Sequence, residues 1–113
     1  MTYRDPVPPT CPRCNLALDP GGRGTLKCPE CAGAFASDDV LREMLAELAE
    51  VLAHPPELVY GPYAKPAALT CPRCIALMQP AELFTIPVDR CAAHGTWFDH
   101  EELGSALERS LLV

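Results

Sequence analysis

Every cysteine of this chain stands in a half-site with two-residue spacing, and that pattern constrains the fold more than any other feature. The half-sites read Cys11-Pro12-Arg13-Cys14, Cys28-Pro29-Glu30-Cys31, Cys71-Pro72-Arg73-Cys74 and Cys91-Ala92-Ala93-His94. Seven cysteines and one histidine make eight ligands, enough for two tetrahedral sites with no thiol left over. A gap of two residues lets both side chains of a tight turn face one ion. Two structural zinc ions are therefore expected, since zinc takes thiolate and imidazole donors in this pattern. A four-thiolate site also admits iron, an alternative that concerns the first cluster. Thiol redox enzymes place one such motif at a helix start in a βαβ fold, for which this chain has no room.

Metal would answer a problem of size. A chain of 113 residues makes one or two small domains. Apolar residues reach 49%, but Ala and Cys inflate that figure. Domains of about 50 residues seldom stand without a metal, a disulfide or a partner. Such ribbons fold with metal and unfold without it. Met1 is not followed by an apolar signal segment, and no apolar run nears the roughly 18 residues of a membrane span. A cytoplasmic location is expected, where cysteine pairs act as ligands rather than disulfides.

The text around Cys11 repeats at Cys71. Thr10-Cys11-Pro12-Arg13-Cys14 returns as Thr70-Cys71-Pro72-Arg73-Cys74, and Leu16/Leu18 is answered by Ile75/Leu77. Each second knuckle leads to an aromatic, Phe35 or Trp97-Phe98, and then to an acidic amphipathic segment. The pattern reads as an internal duplication. The fold expected is small α+β and metal-stabilised, with two zinc-ribbon units each followed by an amphipathic helix. Residues 1–9 read as a flexible N-terminal segment, 10–54 as the first ribbon plus helix, 55–69 as a proline-rich linker, and 70–113 as the second ribbon plus helix. Short hairpins are expected to pair Leu16–Leu18 with Thr25–Lys27, and Ala76–Met78 with Phe84–Arg90. Pro87 would then take an edge or bulge position. Ser37 or Asp38 should cap a helix that ends near Ala53. Asp99 with Glu102 forms a capping-box pattern for a second helix.

The ligands are expected to group in sequence order, because each unit then closes its own short loop. That gives Cys11, Cys14, Cys28 and Cys31 for one ion, and Cys71, Cys74, Cys91 and His94 for the other. A cross-braced arrangement would share ligands between units. With grouping in sequence order, residues 1–57 alone should keep one zinc, and loss of that zinc would favour cross-bracing. His54 and His100 lack the support of the repeat; they read as a helix C-terminus and a first helical turn. Arg13 and Arg73 read as solvated knuckle tips, and Trp97-Phe98 as core. Four protein ligands per ion leave no open position for a metal-bound water, so no enzymatic activity is expected.

The run from Cys71 through Cys91-Ala92-Ala93-His94-Gly95-Thr96-Trp97-Phe98-Asp99-His100-Glu101-Glu102-Leu103 resembles the bacterial transcription-factor zinc-finger family, a TFIIB-type zinc ribbon. That family's pattern is two knuckles, Gly-x-Trp-(Leu/Phe)-Asp and a Glu-Leu helix start. The first unit looks like a degenerate copy, with Phe35-Ala36-Ser37 where the pattern has Trp-Leu-Asp. The resemblance implies zinc at the eight named positions and little about activity.

Net charge is -6. Nucleic-acid binding leans on Lys and Arg neutralising phosphates, so this sign argues against it. The leading expectation is a non-enzymatic adaptor or regulator with a protein partner. The helix stripe Leu41, Leu45, Leu48 and Leu52 is expected to pack within the chain, with a homodimer seam as the alternative. The alternatives in function are a transcription-associated nucleic-acid-binding ribbon using Arg13, Arg23, Lys27, Arg73 and Arg90, and a thiol-based redox or zinc-release switch.

Overall fold

Each Thr-Cys-Pro-Arg-Cys segment folds back on itself before the chain enters a sheet. The computed structural model describes residues 8–48, 56–65, 68–74 and 76–111. The Leu18 amide donates to the Pro9 carbonyl and the Cys11 amide to Leu16, both at 2.8 Å. The Met78 amide donates to Leu69 and the Cys71 amide to Ala76, both at 2.7 Å. Residues 16–18 and 76–78 are thus spent on closing the knuckles. The hairpins expected of them start further along the chain.

The elements are β1 (Asp19–Pro20), β2 (Leu26–Lys27), β3 (Ala34–Ala36), α1 (Asp38–Leu48), β4 (Tyr60–Pro62), β5 (Gln79–Leu83), β6 (Ile86–Cys91), β7 (Gly95–Phe98) and α2 (Glu102–Ser110). Among the described residues the result is a small α+β fold with one antiparallel sheet of seven strands, ordered β1-β2-β3-β7-β6-β5-β4. The last of these strands, β7, is the middle strand of the sheet. It pairs with β3 in the register Ala34↔Phe98, Phe35↔Trp97 and Ala36↔Thr96. Residues 60–62, read as linker, form β4 on the edge of β5.

Successive side chains of a strand face opposite sides. Trp97 and Phe98 are both 0% exposed and serve two different cores. Trp97 joins Phe35, Leu18, Met78, Cys11, Cys28 and Cys71 on the knuckle face. Phe98 joins Ala36, Leu41, Ala81, Leu83, Val88 and Ala106 on the helix face. Full burial of one such ring stabilises by about 2–3 kcal/mol. Gly95 is required at the start of β7: its φ is 141°, and a Cβ there would lie 2.3 Å from the Ala36 carbonyl oxygen.

Two prolines enter the sheet where a neighbour has ended. Pro87 pairs opposite Glu82, and β7 reaches β6 only from Asp89 onward. Pro80 pairs opposite Asp89, one residue past the end of β4. Their missing N–H groups therefore cost no ladder bond.

Ser37 caps α1, its Oγ accepting from the Val40 amide at 3.2 Å. Leu41, Met44 and Leu45 are buried on its inner side. Two of the four positions of the alternative dimer seam, Leu41 and Leu45, are therefore used within the chain; Leu52 and the end near Ala53 lie outside the described residues. The helix start and capping box expected at Asp99 do not form: α2 begins at Glu102 behind a left-handed Glu101 with φ of 70° and no side-chain cap, although Glu102 Oε1 accepts the Asp99 amide at 2.8 Å. The Asp99 side chain does not return the bond, because it is engaged elsewhere. Among the described residues no helix is long and apolar enough to cross a membrane.

Candidate metal centres

The eight ligand atoms gather into two groups in sequence order. Cys11, Cys14, Cys28 and Cys31 form one, and Cys71, Cys74, Cys91 and His94 the other; within each, all ligand atoms lie within 4.8 Å of one another. Each loop closes on its own ion position, without ligand exchange between the halves. His100 is outside both groups, beside Glu101 at 3.5 Å. His54 lies outside the described residues.

The spacing within each group tests whether a metal fits. Metal–sulfur bonds of about 2.3 Å at tetrahedral angles place thiolates about 3.75 Å apart, and a thiolate about 3.5 Å from an imidazole nitrogen. Cys11 and Cys31 sulfurs are 3.8 Å apart, and those of Cys74 and Cys91 3.7 Å. His94 turns Nδ1 inward, 3.6 Å from Cys91 Sγ and 3.9 Å from Cys71 Sγ. A disulfide needs about 2.05 Å between sulfurs. Both sites therefore fit a tetrahedral metal ion.

The knuckle backbone prepares the thiolates. Cys11 Sγ accepts amides of Arg13 and Cys14 at 3.4 and 3.3 Å. Cys28 Sγ accepts those of Glu30 and Cys31 at 3.4 and 3.5 Å, and Cys71 Sγ that of Arg73 at 3.4 Å. The residue after the second cysteine is left-handed in the first two knuckles, with φ of 60° at Asn15 and 61° at Ala32. Asn tolerates that conformation better than Ala.

Charge is shared unequally among the thiols. Burial raises Cys28, but the amides of Cys31 and Glu30 and the neighbouring thiols outweigh it and bring it to about 7. Burial also raises Cys91, and His94 with the Ala93 amide brings it down to about 7. Burial and the same crowding push Cys14 up to about 12. Burial likewise takes Cys71 to about 11. Four adjacent thiols cannot all ionise by themselves; a divalent cation would supply the compensating charge.

Several polar contacts around the sites were not visible as sequence motifs. Arg13, expected as a solvated tip, makes a two-pronged ion pair with Asp99: Nε to Oδ1 at 2.5 Å and Nη2 to Oδ2 at 2.8 Å. Trp97 Nε1 donates to the same Oδ1 at 3.0 Å. Burial raises Asp99, and the Arg13 guanidinium and the Trp97 N–H more than offset it, holding the carboxyl below its usual range. Arg90 pairs with Asp38 at 3.0 Å and lies over the Tyr60 ring, 3.9 Å from its centre. Lys65 Nζ approaches the buried Asp89 carboxylate to 2.6 Å. The only sequence signal for these was the recurrence of Arg in the first knuckle of each half.

No protein-family model, no curated protein and no solved structure matches the chain.

Proposed function

We propose that this is a two-zinc ribbon protein, built from two copies of one unit, whose metals are structural and whose role is to engage a protein partner as an adaptor or regulator. The observation that carries the reading is the closure of both sites by four protein ligands at tetrahedral spacing. A site with no free position holds structure rather than activating water. Zinc is favoured because a site of three thiolates and one imidazole is a common structural zinc set. The likeness to the transcription-factor zinc-finger ribbon and the β3–β7 register, symmetric about Phe35 and Trp97, support the duplicated unit.

A protein partner is supported by a groove of about 410 Å³ beside the sheet. Met44, Ala32, Ala34, Leu103 and Leu107 line it, with Lys27 and Glu101 also at its walls. The nucleic-acid reading is weakened by internal pairing. Of its five basic residues, Arg13 pairs with Asp99, Arg23 with Glu47 and Arg90 with Asp38.

Elemental analysis of purified protein should return two zinc per chain. Nucleic-acid anisotropy at low salt should show no binding; salt-sensitive binding would replace the adaptor reading. A protein partner recovered from the protein's own cells should be lost with Leu107→Lys while both zincs remain. A partner indifferent to that substitution would exclude the groove.

A further inference from the structure

We propose that the two metal sites load and empty as one unit, coupled through Arg13, Asp99 and Trp97 above a shared core; this rests on the metal reading above. Three observations place the sites in one cooperative structure. The buried knuckle-face cluster contains Cys11 and Cys28 from one site and Cys71 from the other, with Phe35 and Trp97 among them. The strand leaving each site pairs with the strand leaving the other: β3 starts three residues after Cys31, and β7 starts immediately after His94. The knuckles also touch directly, the Thr10 amide donating to the Pro72 carbonyl at 3.2 Å.

Arg13 supplies the connection from ligand to distant strand. Its own amide binds the Cys11 sulfur, and its guanidinium grips Asp99, 86 residues away. Asp99 in turn fixes the Trp97 indole. The first knuckle can therefore reach α2 and the centre of the sheet through consecutive hydrogen bonds. A metal ion that sets the first knuckle sets the position of Arg13, and so favours the Trp97 arrangement that the second half requires.

Metal binding in such sites is inseparable from folding. A chain with one metal must either hold the other half folded without its ion or lose the partner strand. Losing it exposes Phe35 or Trp97, which are 1% and 0% exposed in the intact fold. Either outcome lowers the population of the one-metal species. Linkage requires that each site strengthen the other by the same factor. The protein then responds to free zinc over a narrow range rather than in two separate steps.

The test is native mass spectrometry of the full chain during zinc titration. At half loading, two equal and independent sites give apo, one-metal and two-metal species in a 1:2:1 ratio, and tenfold coupling lowers the one-metal share to about a quarter. We expect a quarter or less. A one-metal share of half or more would overturn the coupling. The Arg13→Met chain should still take up two zincs at saturation but show a larger one-metal share at half loading. An unchanged share would remove Arg13 from the mechanism as stated. In a second measurement, Cys28→Ser with Cys31→Ser should weaken the remaining site at least tenfold, and Cys74→Ser with Cys91→Ser should weaken the first by the same factor. Unweakened remaining sites would sink the proposal. A chain that takes up no zinc at all fails the metal reading itself, an outcome distinct from statistical loading.

Discussion

Gly33 lies directly against the Trp97 indole: a Cβ at Gly33 would stand 2.2 Å from Cζ2. The residue that leaves the second knuckle is thus shaped by the ring that fills the core between the sites. Neither side can yield, because Trp97 is 0% exposed and its N–H is fixed on Asp99. Gly33→Ala should cost about 2–3 kcal/mol of stability. Urea unfolding of the metal-loaded protein measures it, and a loss under 0.5 kcal/mol would show that the contact relaxes freely.

Metal removal should be read by the same ring. Trp97 is the single tryptophan of the chain and is fully buried. Chelation is expected to move its fluorescence emission to the red and to abolish cooperative unfolding. An emission spectrum unchanged after complete metal loss would show that the core stands without its ions.

Glu102 illustrates how charge and cap can be separated. Burial, with Asp99 and Asp89 nearby, raises its carboxyl above the ordinary range, while the Asp99 amide pulls the other way. A raised carboxyl contributes stability below its unfolded value and loses it as pH rises through the folded value. At pH 7 the ionised form therefore carries a cost. Glu102→Gln keeps an oxygen acceptor for the Asp99 amide and should match or exceed the parent at neutral pH. That advantage should shrink as pH falls through the raised folded value. Glu102→Ala loses the acceptor and should cost about 1 kcal/mol. Equal losses in both variants would show that the charge, not the acceptor, matters.

The Lys65–Asp89 pair should behave as a buried ion pair. The Asp89 side chain is 2% exposed and that of Lys65 24%. Lys65→Met leaves the carboxylate uncompensated and should cost about 2–3 kcal/mol, less than for a fully buried pair. Adding Asp89→Asn should recover more than half. A double variant no better than the single one would mean that Lys65 acts through packing of its stem. Denaturation of both variants decides.

The β5–β6 turn stores strain that can be removed. Phe84 and Thr85 hold φ of 51° and 70°, a conformation suited to Asn-Gly rather than to a β-branched residue. Thr85→Gly should stabilise by about 0.5–1 kcal/mol, the relief exceeding the added freedom of the unfolded chain. A lower melting temperature for this variant would contradict the strain.

The two groups of candidate ligands were legible because spacing and the repeat are enough to assemble them. Cys11 through His94 needed no knowledge of distant parts of the chain beyond the repeat itself. Ser37 and the buried stripe of α1 were legible for a similar reason, since capping and periodicity are local. The strand pairing was not. Phe35 and Trp97 are 62 residues apart, and nothing in either segment names the other as partner. The short arms 16–18 and 76–78 looked like hairpin strands, but closing a knuckle competes for the same amides and wins. Arg13 was unreadable as a latch for the same reason as β3: its partner lies in the other half. Exposed-looking cations carry no signal of which carboxylate will reach them.

The position of β7 has a consequence for how the protein is made. Strands on either side of it emerge from the ribosome first, and the strand that joins them comes last. Until residues 95–98 appear, β3 has no neighbour beyond β2, and Phe35 lacks the Trp97 ring that completes its burial. The nascent chain therefore carries its first four thiols without the Trp97 side of their core until β7 emerges. Closure of the sheet waits until residues 95–98 are available, when one strand inserts between β3 and β6.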